Sequence, residues 1–441
     1  MRKPLAPPVR RIAGLALALL LVALPLLANG LPTAKPEEVG MSAERLERLT
    51  EHMEERIAEG VAPGALAMIA RRGKVVYSHE WGLADREQGV PMAPDTIFRI
   101  YSMTKPITSV AVMMLYEEGH FALGDPLERY LPEFADMKVM EKVETSEAGE
   151  AEWRTRDAER PITIRDLLRH TAGLTYGVFG NTPVDQEYRK AGLLLDDRSL
   201  ADFSTAIGDQ PLLYEPGTTW HYSVAIDILG RLVEVISGTP FDEFVEQRIT
   251  KPLGMVDTAF WVPDSKRDRF AQLYSPAGTS AGADAWLRPS DSNELVVAAA
   301  STSRNFLRRP PMPSGGGGMV STASDYMRFC LMMLNGGELD GVRLLSPKTV
   351  ELMTTSHLGD IPMGLGRGGY GFGLGFAVAT DLGEIGELTS EGEYNWGGAA
   401  GTAFWIDPQE ELIGIYMVQI IPHRTSLGGD FKRLTYQAIV E

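Results

Sequence analysis

Two serines stand in surroundings that could make a nucleophile. Ser102 opens Ser102-Met103-Thr104-Lys105, followed by Pro106 and an apolar helical run from Ile107 to Glu118. Proline is tolerated in the first turn of a helix, so the pattern predicts Ser102 at a helix N-terminus. Residues three apart share a helix face, so Lys105 is predicted to turn its amine back over the Ser102 hydroxyl. A helix N-terminus also carries partial positive charge and free N–H groups, which favour a serine alkoxide and supply half of an oxyanion hole. The tetrapeptide alone is weak: 23 serines and 11 lysines yield it by chance about 0.6 times in such a chain. An N-cap serine followed by an exposed lysine is the plain alternative.

The rival is Ser280 in Gly278-Thr279-Ser280-Ala281-Gly282, with Asp407 and His423 downstream in the order of a hydrolase triad. That G-x-S-x-G elbow needs a strand entering the turn and a helix leaving it. Pro276 interrupts the approach, and Gly282 to Pro289 is too short for a helix, so a surface loop is expected. Two further segments carry polar or permissive chemistry. Tyr222, in Trp220-His221-Tyr222-Ser223-Val224, precedes a predicted helix, where a phenol can reach into a cleft. Trp396-Gly397-Gly398-Ala399 precedes a predicted hairpin, and its glycines would let a strand backbone approach a ligand closely.

The elements that must hold these residues follow from periodicity. Leu46, Leu49, Met53 and Ile57 fall at helical spacing within 42–59. Ala65 to Ile69 and Lys74 to Ser78, joined at Arg72-Gly73, predict a hairpin, and Thr402 to Ile406 with Leu412 to Gln419 predict another. Hairpins at both ends imply one antiparallel sheet built from the two termini. Ile164 to His170, Ala225 to Ser237 and Phe241 to Ile249 predict helices of an inserted lobe. The expected organisation is a discontinuous α/β domain over 36–124 and 300–441 with a helical domain over 125–299. Glu141 to Arg160 has 11 charged residues among 20 and is expected to be a solvated excursion. Gly315 to Gly318 lacks the Lys-Ser/Thr of a phosphate loop and is expected to be a flexible turn before a helix at 324–334.

The 441 residues hold 42 Lys plus Arg and 59 Asp plus Glu, a formal charge of −17. That field repels a phosphate backbone, so no nucleic-acid partner is expected. Residues 1–30 read as a signal peptide, with Arg2, Lys3, Arg10 and Arg11 before an apolar run from Ile12 to Ala28 and small residues at a cleavage point; an uncleaved membrane anchor is the rival, weakened by Gly14 and Pro25. Export to the periplasm or the medium, without stable membrane association after cleavage, is the expectation. The single Cys330 excludes an intramolecular disulfide and, within an apolar run, is expected to be a buried inert thiol. The seven histidines show no H-E-x-x-H spacing, so no metal or cofactor is expected.

In this order, the Ser102, Tyr222 and Trp396 segments resemble the serine β-lactamase and penicillin-binding-protein superfamily. The closest resemblance is to the family VIII carboxylesterases, esterases with a class C β-lactamase fold. It covers nearly the whole chain after the leader. Asp95 to Val110 is similar to the family's nucleophile segment, and Ile164 to Leu174, Tyr222-Ser223-Val224 and Gly317-Gly318-Met319-Val320-Ser321-Thr322 are further matches. The resemblance implies an α/β, β-lactamase-like fold: an antiparallel sheet flanked by helices, with an inserted all-helical lobe. It implies Ser102 as nucleophile, Lys105 and Tyr222 as its activating pair, and the N–H groups of Ser102 and Ala399 as the oxyanion hole. Trp396, Gly397 and Gly398 would contact substrate, and His170 would be structural.

A lysine and a phenol ordinarily titrate at about 10, but a desolvated pair sharing one proton can hold a basic form at neutral pH. Two departures bear on substrate. Lactamases and D-Ala-D-Ala peptidases of the superfamily carry Lys-Thr-Gly beside the site, whose cation helps hold a carboxylate; here Trp396 takes the lysine's place. Val224 replaces the asparagine of the lactamase Tyr-x-Asn. A short, uncharged carboxylic ester is therefore the expected small-molecule substrate. The alternatives are a β-lactamase, a D-amino-acid peptidase, an acyltransferase, or a penicillin-recognising binding protein without turnover.

Overall fold

The computed structural model describes residues 30–144, 151–193, 198–280, 284–288, 290–300 and 303–441. The predicted leader lies outside the described residues up to position 29. Helix α1 (Ala43–Ala58) starts where Ser42 Oγ accepts from Arg45 N–H, and it buries Leu46, Leu49 and Met53 along one stripe. Strands β1 (Gly64–Arg71) and β2 (Lys74–Asp85) follow, joined by Arg72-Gly73 with φ of 51° and 74°. Positive φ at both turn residues matches the right-handed twist of a two-residue hairpin. Strand β3 (Val90–Pro91) closes that edge.

The C-terminal part adds β4 (Tyr370–Phe372), β5 (Ala377–Ala379), β6 (Tyr394–Gly397), β7 (Ala403–Asp407) and β8 (Leu412–Met417). The sheet has eight strands in the order β4-β5-β6-β7-β8-β1-β2-β3, with antiparallel pairing throughout. The two chain halves are zipped where Leu66 faces Met417 and Arg71 faces Leu412. Side chains of β1 alternate between two cores: Leu66, Met68 and Ala70 enter the main one, while Ala65, Ala67 and Ile69 pack with α1, Trp405 and Phe431. Burial on both faces explains why β1 reads as a continuous apolar run rather than an alternating one.

Helix α2 (Thr104–Glu117) is buried from Thr104 to Leu115, and it packs against α3 (Ala225–Ser237). Around α3 gather shorter helices at Ile164–Leu168, Leu200–Gly208 and Phe241–Val245. The charged stretch expected to be an excursion is a ribbon, Lys138–Glu144 paired with Ala151–Asp157. Opposite charges meet across it, Lys138 with Asp157 and Arg156 with Glu141, so the charge density that suggested solvation supplies the cross-strand pairs. Tyr274–Pro276 pairs with Leu295–Val297 in a second ribbon, so the insert is helical with two ribbons rather than all-helical. Cys330 is buried and its thiol is pushed well up by desolvation, as the apolar run predicts.

One buried carboxylate fixes the segment that runs behind the site. Asp166, 1% exposed, caps its own helix with Thr163 and accepts from Arg160, Arg169 and Thr171. Burial opposes its charge, but the hydrogen bonds of Arg160 and Thr163 win and hold it down at about 2. A carboxyl depressed in the folded state stabilises the fold above its unfolded value and loses that contribution as pH falls through about 2. Asp166→Asn is expected to lower unfolding free energy by about 2–4 kcal/mol at neutral pH and to flatten the stability profile between about pH 4 and pH 2. Urea melts of both proteins across that range check it.

Candidate active site

Ser102 sits in a tight 3₁₀ turn, Tyr101–Met103, that runs directly into α2. The α-helix proper begins two residues after Ser102, and Pro106 falls in its first turn, where no intrahelical N–H is needed. Tyr101 enters with φ of 42°, an uncommon conformation for a tyrosine, and the turn is pinned from several sides. Phe98–Arg99 pairs with Val320–Ser321, Ile100 N–H donates to Met319 C=O, and Tyr326 Oη donates to Met103 C=O. Gly398 lies against the same turn: a Cβ there would stand 2.5 Å from the Ile100 carbonyl oxygen and 2.2 Å from Thr402 Oγ1. The end of β6, and with it Ala399, reaches Ser102 because position 398 has no side chain.

Two groups bond the Ser102 hydroxyl. Tyr222 Oη donates to Ser102 Oγ at 2.7 Å, and Lys105 Nζ donates to it at 3.2 Å. Lys105 is fully buried and also donates to Gly316 C=O at 2.6 Å and to Tyr176 Oη at 2.9 Å. Its Nζ lies 4.5 Å from the centre of the Tyr222 ring. Trp396 Nε1 donates to Tyr222 Oη at 3.3 Å, so the phenol oxygen receives an indole N–H while its ring faces a lysine amine.

Tyr176 and Asp227 carry no sequence pattern that distinguishes them and were missed, whereas Gly316 belongs to the glycine run read only as a turn. Asp227 Oδ1 accepts from Gly316 N–H and Ser314 Oγ, and so fixes the loop whose carbonyl receives Lys105. The Gly315–Gly318 run is therefore a tight approach rather than a flexible turn. A Cβ at Gly316 would stand 2.3 Å from Asp227 Oδ2, and one at Gly315 would stand 2.7 Å from the Ile226 carbonyl oxygen. Desolvation first, then the neighbouring Tyr222 and Asp227, pushes the Tyr176 phenol well above its ordinary value. Tyr176 thus stays a protonated partner of Lys105.

The histidines stand aside. His170 is buried behind Tyr222, with ring centres 4.9 Å apart, and desolvation followed by Lys105 pushes its imidazole well down, so it stays neutral. Ser280 is exposed in a loop. Asp407 is engaged by Gln409 N–H, Glu410 N–H and Tyr436 Oη in the β7–β8 turn. His423, pushed down to about 4 by burial, pairs with Thr425. The structure gives that serine no triad.

Ser102, Tyr222 and Ala399 line a cavity of about 220 Å³ together with Tyr176, Phe179 and Trp286. Trp396 and Gly397 border a different cavity of about 370 Å³, and Gly398 packs on the nucleophile turn. Trp396 thus bears on the Ser102 cavity through Tyr222, and Arg367, which sequence reasoning also missed, places its guanidinium 5.7 Å from the Trp396 ring centre. A serine hydroxyl bonded by a phenol and an amine in a largely apolar cavity is equipped for acyl transfer through a covalent intermediate.

Comparison with known proteins places the chain in a family. The Beta-lactamase family profile matches residues 49–432. An uncharacterized protein of Mycobacterium tuberculosis is 37% identical over 381 residues, covering 82% of this chain and 87% of that protein. Esterase EstB of Burkholderia gladioli is 32% identical over 389 residues, covering 85% and 90%. Among solved structures, EstCE1, described as a hydrolase with promiscuous acyltransferase activity, superposes with a TM-score of 0.71 at 28% identity, covering 90% of this chain and 98% of that one.

The close approach at Gly398 has a measurable consequence. Gly398→Ala forces the strand end away from the Ser102 turn and is expected to slow labelling of the protein by a serine-directed fluorophosphonate at least about 100-fold. Gly429→Ala, at a helix position where a Cβ meets nothing within 4 Å, is expected to label at the wild-type rate. Intact-protein mass spectrometry over time reads both.

Proposed function

The chain belongs to the Beta-lactamase family, within the serine β-lactamase and penicillin-binding-protein superfamily, and from that premise we propose that it is an exported carboxylesterase acting through an acyl-enzyme on Ser102. The observation that carries the proposal is the Ser102 hydroxyl held at once by Tyr222 and Lys105. Similarity to EstB supports hydrolysis of esters in particular.

In this proposal the Lys105–Tyr222 pair reacts when it is one proton short of an ammonium and a phenol; Ser102 Oγ then attacks the ester carbonyl carbon as its proton passes to Tyr222 Oη, reversing the hydrogen bond between the two oxygens. The oxyanion is held by the N–H groups of Ser102 and Ala399. Collapse breaks the bond to the alcohol oxygen, which leaves with the proton from the pair. Water then gives a proton to the same pair and attacks the acyl carbon, releasing the acid and restoring Ser102. Trp396 acts by donating its indole N–H to Tyr222 Oη, and Gly398 lets the Ser102 turn meet the end of the strand. A second reading, transfer of the acyl group to an alcohol, is favoured by the aromatic lining of the cavity, where an organic acceptor competes with water.

The substrate is proposed to be an uncharged ester. The whole-chain charge of −17 becomes −21 once the four basic residues of the leader are removed, and an indole stands where a lactamase has its lysine. Neutral esters are expected to exceed cephalosporins in kcat/KM, with Trp396→Lys narrowing the gap by placing a point charge at the strand. Wild-type preference for a cephalosporin contradicts the ester assignment.

The shared proton makes a second expectation. Lys105→Ala and Tyr222→Phe should each lower kcat on the order of 10²–10⁴-fold, and the double variant little more than the worse single one. Multiplicative losses in steady-state kinetics would mean that the two groups act separately.

A further inference from the structure

The mouth of the Ser102 cavity is built from aromatic rings that the acyl-transfer chemistry does not use. Phe179 lies between Gly177, at φ of 73°, and Gly180, and it leaves 47% of its surface exposed although it borders the cavity. Its ring meets Trp286 edge-to-face at 5.5 Å and 79°, Tyr176 edge-to-face at 5.6 Å and 81°, and Tyr222 at 6.0 Å with a tilt of 34°. Trp286 arrives from a separate excursion, the short helix Asp284–Leu287 that follows the Tyr274–Pro276 strand. Two distant parts of the chain therefore bring a phenylalanine and a tryptophan face to edge over the reactive serine.

We propose that Phe179 and Trp286, packed edge-to-face, form an aromatic wall that selects esters carrying one planar aromatic ring; the proposal rests on the esterase reading and names its substrate class. An exposed phenylalanine at a cavity mouth is apolar surface that a ligand covers. Its neighbours offer ring edges and ring faces in the two arrangements that aromatic groups prefer, edge-to-face and offset, so a flat ring gains more than a saturated group of equal size. The volume of about 220 Å³ is below the roughly 300–1,000 Å³ of drug-sized pockets, which fits a single ring beside the ester rather than a fused system. The aromatic group can belong to the acid or to the alcohol, and matched pairs of esters separate the two.

The test compares kcat/KM by pH-stat for methyl phenylacetate against methyl cyclohexylacetate, and for benzyl acetate against cyclohexylmethyl acetate. In each pair only the ring changes from aromatic to saturated, the first pair on the acid side and the second on the alcohol side. Wild-type protein is expected to prefer the aromatic member about tenfold in one pair. Phe179→Leu and Trp286→Leu should each reduce that preference at least about threefold, and Phe179→Tyr, which keeps the ring, should preserve it. Turnover of all four esters without an aromatic preference, or Leu variants that keep the wild-type ratio, overturns the aromatic wall while leaving the esterase reading intact. Failure to turn over any of the four overturns the esterase reading and the aromatic wall with it.

Discussion

The site is organised by the complete burial of one amine. Lys105 has no exposed surface, and its Nζ reaches three oxygens, on Ser102, Tyr176 and Gly316. A buried lysine head without such partners would cost several kcal/mol, so the oxygens have to be delivered together or the fold suffers. Each comes from a different part of the chain, and the reactive serine is one of them. The geometry that keeps Lys105 satisfied is also the geometry that places an amine beside the Ser102 hydroxyl.

That requirement explains features that look unrelated along the sequence. Gly316 has no side chain because Asp227 and Tyr176 occupy the space, and Asp227 in turn holds the Gly316 N–H so that the carbonyl faces Lys105. Gly398 has none because the Ile100 carbonyl stands there, which brings the end of β6 against the nucleophile turn. Tyr222 is backed by the rings of His170 and Trp220, and the His170 segment is held by Asp166 and its two arginines. The zipped sheet matters for the same reason: it fixes β6 from the C-terminal half relative to a serine from the N-terminal half.

Sequence periodicity made the scaffold legible where one physical rule dominates. The amphipathic stripe of α1, the Arg72-Gly73 hairpin and the apolar run of α2 appear where expected, because burial and turn chemistry act locally there. The Lys138–Asp157 ribbon was hidden because its exposed strands carry charges that pair across the ribbon and look like a solvated loop in one dimension. At the site, Ser102, Lys105 and Tyr222 were readable from spacing and from a family resemblance, and the structure brings them within hydrogen-bonding reach. Tyr176 and Asp227 were not, since a lone tyrosine and a lone aspartate carry no spacing rule and gain meaning only when the chain folds onto Lys105. Trp396 was readable in position but not in contact: its indole N–H meets Tyr222, whereas the resemblance implied contact with substrate.

The central claim is that Ser102 carries the acyl group. Mixing the protein with an activated ester, quenching in acid within the first turnovers and mapping peptides by mass spectrometry tests it directly, with Ser102→Ala and Ser280→Ala proteins alongside. The account predicts the acyl mass on the peptide containing Ser102 in the wild-type and Ser280→Ala proteins, and no adduct or turnover in Ser102→Ala. An adduct on Ser280, or turnover that survives in Ser102→Ala, would contradict it.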